Sequence, residues 1–371
     1  MALVVAMGIG RFAFTPIFPL MLDEGSLTLA SGGMLASANY IGYFIGALAA
    51  TFVRIRPSRT IPLGMLLIGV VTAAMAAHLP VVAWLLLRCA AGIASAFVLV
   101  AVSSWSLNVL AARGRPSLSG VVFAGVGIGI AATGLICLWL AQRNETASAS
   151  WLVIGGLAVL LTFTVWRSYA ESVGTSRAAD HAAPETTKWG VQGILLILAY
   201  GLFGFGYIIP ATFLPVMARN ALADPALSAW SWPLFGAFAA ISALFAGRLA
   251  ERFGNRRLWA ACHLILAVGV ALPAMLRGLL PVLLAALCVG GTFMIITLAA
   301  LQEAKALAPR RPAALIAAMT SAFALGQILG PLVVPFLSHG SGDFTLVLLI
   351  SAGLMVVSAV ILIKAPNRIA G

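Results

Sequence analysis

Charge is what this chain has least of. Only 9% of its 371 residues are Asp, Glu, Lys or Arg, and the acids number 10 against 22 bases. So few charged groups cannot cover the surface of a soluble protein of this length. The 62% hydrophobic content and a mean hydropathy of +1.08 point instead to a polytopic membrane protein. Cysteine is scarce too. Cys89, Cys137, Cys262 and Cys288 all fall inside apolar runs, without zinc spacing or a loop partner, so neither a disulfide nor a metal is expected. No His/Asp/Glu or Ser/His cluster lies at membrane depth, which argues against a membrane enzyme and gives no place for a cofactor. The net charge of +12 would suggest nucleic acid in a soluble chain, but its placement removes that reading.

Twelve apolar runs are long enough to span a bilayer: about 2–22, 29–53, 60–77, 80–110, 118–141, 151–166, 191–217, 227–247, 257–276, 279–301, 313–337 and 344–364. Seventeen of the 22 Lys and Arg residues fall in the loops after even-numbered spans or in the C-terminal tail. Only Arg143, Arg219 and Arg277 lie in the opposite loops. That asymmetry predicts a multi-pass protein with both termini in the cytoplasm; the expected location is a bacterial inner membrane. Residues 1–22 contain an arginine and lack both a basic leader and a cleavage site, so they read as a first span.

The one long hydrophilic stretch, near 167–190, has a linker's composition and separates six spans from six. The expected organisation is a bundle over 1–170, a cytoplasmic linker over 171–189 and a second bundle over 190–371. The two sets of spans look alike. Gly8, Gly10, Pro19 and Met21 of the first span recur at identical spacing as Gly204, Gly206, Pro215 and Met217 of the seventh. Gly125 and Gly129 of the fifth recur as Gly326 and Gly330 of the eleventh. A 6+6 repeat about a cytoplasmic linker suits two bundles rocking around a midplane site.

Between the eighth and ninth spans stands Gly247-Arg248-Leu249-Ala250-Glu251-Arg252-Phe253-Gly254-Asn255-Arg256-Arg257. This string resembles the cytoplasmic loop signature of the major facilitator superfamily, with Glu in place of Asp and Asn255 interposed. Arg88-Cys89-Ala90-Ala91-Gly92 is similar to that superfamily's span-four pattern, with Ala91 replacing the usual Gln. Gly326-Gln327-Ile328-Leu329-Gly330-Pro331 resembles a packing motif of proton-coupled drug antiporters, but in the eleventh span rather than the fifth, which carries no proline. The runs Gly8 to Pro16 and Asn39-Tyr40-Ile41-Gly42-Tyr43 look like the bacterial YbfB/YjiJ-type subgroup. The resemblance implies an all-α membrane fold of twelve transmembrane helices in two pseudo-symmetric six-helix bundles, working by alternating access. It places spans one, four, seven and ten around a central cavity.

An ionised group deep in a span is functional unless protein or water accounts for it. Arg11 and Arg88 are the only two such groups, roughly 16 Å and 12 Å from the outer ends of their spans at about 1.5 Å per residue. No acid lies inside any of the twelve runs. Two cations without a counter-ion suggest that the solute supplies the anion, which Arg binds through its two-pronged fork. Thr15 lies one turn from Arg11, and Asn39, Tyr207 and Gln327 are further polar groups near mid-depth, so Arg11, Thr15, Asn39, Arg88, Tyr207 and Gln327 form the expected binding set. Arg88 has a second reading, bonding carbonyls freed by the prolines of span one. Asn39 has one as glue between helices. Tyr207 has one as packing.

Gly247, Glu251, Arg252, Gly254, Arg256 and Arg257 form an expected cytoplasmic gate. In it Glu251 latches onto the N-terminus of the fifth span, where a carboxylate is stabilised. The expected function is secondary transport of a small organic anion. The competing reading is efflux of lipophilic or cationic drugs, which cavity charge disfavours. Small-molecule solute and lipid bilayer are the expected partners, a coupling proton stays open, and a monomer is expected.

Overall fold

The computed structural model describes residues 1–53, 56–115, 118–170, 190–221, 225–309, 312–338 and 343–364. The linker expected over 171–189 lies outside them. Among the described residues every regular element is a helix, and twelve are long and apolar enough to cross a membrane. They are α1 (Val4–Asp23), α2 (Leu29–Phe52), α3 (Pro57–Ala74), α4 (Val81–Ala112), α5 (Ser119–Ala141), α6 (Ala147–Ala170), α7 (Gly190–Ala221), α8 (Ser231–Phe253), α9 (Asn255–Met275), α10 (Leu279–Leu307), α11 (Pro312–Leu337) and α12 (Thr345–Lys364). A short helix, Pro225–Ala229, leads into α8.

Several boundaries differ from the sequence reading. The sixth span runs 147–170 rather than 151–166; at its start Thr146 Oγ1 accepts from the Ala149 N–H at 3.1 Å and caps the helix ahead of the apolar run. The eighth span continues through the charged signature to Phe253. Only Gly254 breaks the helix, at φ 78°, a conformation glycine adopts without strain, and α9 begins at Asn255.

Small residues set how closely the helices approach. A Cβ on Gly42 would overlap the Cys89 carbonyl, and one on Gly92 the Asn39 carbonyl, so α2 and α4 touch backbone to backbone. Gly8 meets Gly129 between α1 and α5, and Gly204 meets Phe323 between α7 and α11. Two seams join the halves. In one, Gly127 and Gly236 pack α5 on α8; in the other, Gly33 lies under the Pro331 carbonyl and packs α2 on α11. Exposed Leu, Ile, Val and Phe side chains cover the outward faces, as a lipid-facing surface requires.

α1 is broken at mid-length. It starts as a π-helix over Val4–Ile9 and becomes α-helical only at Phe14. Gly10 and Phe12 donate back five residues, to Val5 and Met7, whereas Thr15 donates back three, to Phe12. In a continued π ladder the Arg11 carbonyl would be met by residue 16, a proline with no N–H. The Gly10 and Arg11 carbonyls therefore stand at a changeover between ladders.

Candidate substrate site

Those two carbonyls collect the partners of α2 and α4. Arg88 donates from Nη1 to the Gly10 carbonyl at 3.4 Å and from Nη2 to the Arg11 carbonyl at 3.1 Å. Asn39 Nδ2 donates to the Gly10 carbonyl at 3.1 Å and to the Arg88 carbonyl at 2.9 Å. The Arg88 guanidinium also lies 5.2 Å from the Phe14 ring. Arg88 and Asn39 thus face the broken backbone of α1. Both are buried, and Arg88 Nε and Asn39 Oδ1 have no hydrogen-bond partner among the described residues.

Arg11 points the other way, into the seam between the halves, and is 3% exposed. Its Nη2 donates to Gln327 Oε1 in α11, and Gln327 Nε2 donates to Tyr207 Oη in α7. The guanidinium carbon sits 4.1 Å from the centre of the Tyr43 ring, 5.2 Å from Tyr40 and 5.5 Å from Phe12. Such aromatic faces stabilise a cation away from water. Arg11 Nε is buried and has no hydrogen-bond partner among the described residues. Nor does any carboxylate among them pair with Arg11; the two ion pairs found there are Asp23–Arg219 and Arg256–Glu303.

Three of the six expected residues, Arg11, Gln327 and Tyr207, therefore form one connected group. Tyr207 stacks between Phe293 and Phe323, nearly parallel to both, with centroids 5.9 Å and 5.6 Å away. Thr15 is one turn further along α1, bonded at 3.0 Å to the Ala211 carbonyl, the group that Pro215 leaves without its helical N–H. Arg88 and Asn39 form a second group behind the Arg11 backbone. Tyr40 and Tyr43 were not in the expected set. Their signal was the i, i+3 spacing within the Asn39–Tyr43 run, which places them on one helical face.

Beyond Thr15 the halves are closed against each other. Every residue of α7 from Gly206 to Ala218 is buried. Tyr40 bonds Thr212 at 3.1 Å, Ser37 bonds the Ile328 carbonyl at 2.8 Å, Phe18 packs edge-on to Phe213, and Asp23 pairs with Arg219 at the rim. A pocket of about 300 Å³ lies at that end between α1, α5, α7 and α8, floored by Pro16, Pro19, Pro215 and Trp232 and rimmed by Asn144, Glu145 and Arg219.

At the opposite rim the signature residues divide. Glu251, Arg252 and Gly254 are exposed, and the Arg252 guanidinium lies 5.4 Å from the Phe253 ring. Gly247 faces open space. Arg256 pairs with Glu303 in α10, Nε to Oε1 at 2.9 Å, and both side chains are largely buried. Arg257 is exposed on α9. Residues 116 and 117, which precede span five in the sequence, lie outside the described residues. Glu303 was missed in the sequence because the tenth apolar run stops at 301, whereas the helix continues to Leu307.

Residues 3–363 match the family described as "Uncharacterised MFS-type transporter YbfB". The chain belongs to this family. It is accordingly a multi-pass membrane transporter of the major facilitator type. The fold is shared with solved structures of the nucleoside transporter NupG. A point mutant of NupG superposes with a TM-score of 0.74 at 16% identity, covering 97% of this chain and 98% of that one. A second NupG structure gives 0.69 at 16% identity, with 98% of each chain covered. No curated protein matches the sequence.

Proposed function

We propose that this YbfB-family transporter moves a small organic monoanion by alternating access, with Arg11 as its anion-binding group. The observation that carries the reading is the half-used fork of Arg11. Nη2 is held by a neutral amide, the neighbouring Nε has no partner, and both are buried. An unpaired cation in a dry interior costs several kcal/mol, and a bound carboxylate relieves that cost. Arg88 is committed to backbone carbonyls, which leaves one cation and hence one negative charge for the solute.

Arg11 and Tyr207 contact the solute in this reading, with Gln327 beside them on the Arg11 fork, while Thr15, Asn39 and Arg88 hold α1 in its broken form. The positive-inside asymmetry puts the Asp23 rim outside the cell and the Arg256 rim in the cytoplasm, in an inner membrane with both termini cytoplasmic. The bundles of residues 1–170 and 190–371 then rock about the Arg11 site, here closed toward the outside. Glu251 acts as a cytoplasmic latch that engages when the cytoplasmic side closes. The transporter works as a monomer.

Equilibrium binding to the purified protein tests the reading. A panel of formate, acetate, benzoate and uridine includes an uncharged nucleoside, the kind of solute in NupG's name. Arg11→Gln should abolish carboxylate binding without lowering the unfolding temperature, and Arg11→Lys should restore it only in part, because the fork is lost. Preference for uridine or a lipophilic cation, insensitive to Arg11→Gln, would overturn the anion reading.

A further inference from the structure

Gln327 does more than line the site. We propose that it is a built-in surrogate for the solute's anionic group, holding one prong of the Arg11 fork until a carboxylate displaces it. The inference rests on the anion reading above and concerns how that same site is regulated.

A carboxylate engages a guanidinium side-on through Nε and Nη2, whose N–H bonds point the same way. Gln327 Oε1 takes Nη2, and Nε beside it has no partner. One amide oxygen fills half of a two-pronged site. A face of the guanidinium is covered by Tyr43 at 4.1 Å, which leaves its edges to a ligand, and the Nε–Nη2 edge is the one Gln327 half-fills. The direction of the amide is fixed by its neighbours. Its NH2 group is given to Tyr207 Oη, and the reverse orientation would aim those donors at a cation.

Charge explains why the residue is Gln. A neutral amide satisfies a buried cation less well than a carboxylate does, so an incoming anion wins the edge. A glutamate there would neutralise Arg11 permanently. The displacement has a mechanical consequence. Arg11 belongs to the first half, and Gln327 and Tyr207 to the second, so the Arg11–Gln327 bond ties the halves at mid-depth. When a solute carboxylate takes both prongs, that tie is released, and occupancy is coupled to movement between the halves.

The test is benzoate binding to the purified full-length protein and to Gln327→Met, Gln327→Glu and Arg11→Gln variants. Methionine keeps the length and removes the amide. It should tighten benzoate about 10-fold, the worth of one hydrogen bond to a charged group. Glutamate occupies the fork itself and should weaken benzoate by about 100-fold or more. The opposite signs separate a competitor from a merely damaged fold. Unchanged or weaker benzoate binding in Gln327→Met, with the unsubstituted protein binding normally, overturns the surrogate role and leaves the anion site standing. No benzoate binding to the unsubstituted protein or to Gln327→Met, or equal binding to Arg11→Gln, overturns the anion reading and the surrogate with it.

Discussion

Thr15 in α1 donates its hydroxyl, at 3.0 Å, to the carbonyl of Ala211 in α7, its own counterpart in the second repeat, 196 residues away. Asp23 and Arg219, paired at the rim, are separated by the same interval. A residue meets its own equivalent only near a two-fold axis. Two such contacts, two turns apart along α1, place the pseudo-two-fold axis between α1 and α7, along their Asp23-side halves. Arg11 and Tyr207 are counterparts at that interval as well, and Gln327 joins them. The asymmetry of the site thus comes from a cation and a phenol at equivalent places.

The rim pair sits where a small energy acts on the whole closure. Asp23 and Arg219 side chains are 47% and 32% exposed, so the pair contributes at most about 1 kcal/mol. Asp23→Asn should therefore raise the opening equilibrium by no more than about fivefold. The readout is alkylation of Cys137, a buried residue lining the pocket beneath the rim, by a charged maleimide, with the other three cysteines replaced. Charge exchange, Asp23→Arg with Arg219→Asp, should restore the slow rate. Equal rates in all three proteins would remove the pair from the closure.

Glu251, in the signature, and Glu303, the α10 partner of the signature's Arg256, should behave differently. Glu303 is largely buried against Arg256, and Glu303→Gln removes the charge from that charge-assisted bond. Glu303→Gln should lower stability by about 1–3 kcal/mol, read by thermal unfolding. Glu251 is exposed in this structure, which is closed at the Asp23 rim. Glu251→Gln should leave unfolding unchanged, yet slow transport and raise labelling from the cytoplasmic side. Normal transport in Glu251→Gln would reduce the loop to an orientation signal.

Much of this molecule was legible in the sequence because a repeat preserves spacing. Pro19 and Pro215, with the glycines near them, mark the two helices on the axis, and the same interval sets which residues meet there. The destination of Arg88 was legible in outline, since bonding to carbonyls freed by the prolines of span one was one of its two readings; which carbonyls it takes was not. That it turns to the Gly10 and Arg11 carbonyls depends on the π-to-α changeover in α1, a feature without a hydropathy signal. Glu303 escaped for a related reason: apolar runs report where lipid ends, not where a helix does. Tyr43 sat in a motif quoted for family likeness, but its cover over Arg11 depends on how closely Gly42 and Gly92 let α2 and α4 approach.

The glycines permit a two-sided experiment. A side chain at Gly127 would overlap the Ala240 amide across the seam between the halves. Gly127→Val should block the close approach of α5 and α8 and abolish solute uptake into proteoliposomes. Gly353 lies within α12 and faces open space. Gly353→Ala should leave uptake intact and add up to about 1 kcal/mol of stability from helix propensity. Uptake that survives valine at 127 would show that the seam does not need backbone contact to work.

The two deep arginines give the sharpest separation of roles. Arg88 donates to two carbonyls of the broken α1, and since Asn39 also meets that of Gly10, the shorter Arg88→Gln side chain withdraws from the Arg11 carbonyl and should cost about 1–3 kcal/mol. The unfolding temperature should fall by several degrees. Benzoate affinity should change little in the protein that remains folded, because the guanidinium faces backbone rather than the seam. Arg11→Gln should do the reverse, holding stability and losing benzoate, since it removes a buried cation without taking a donor from any backbone carbonyl. If Arg88→Gln instead loses benzoate at unchanged stability, both arginines serve the solute. The single-charge limit on that solute would then fall, and dicarboxylates would become the ligands to try.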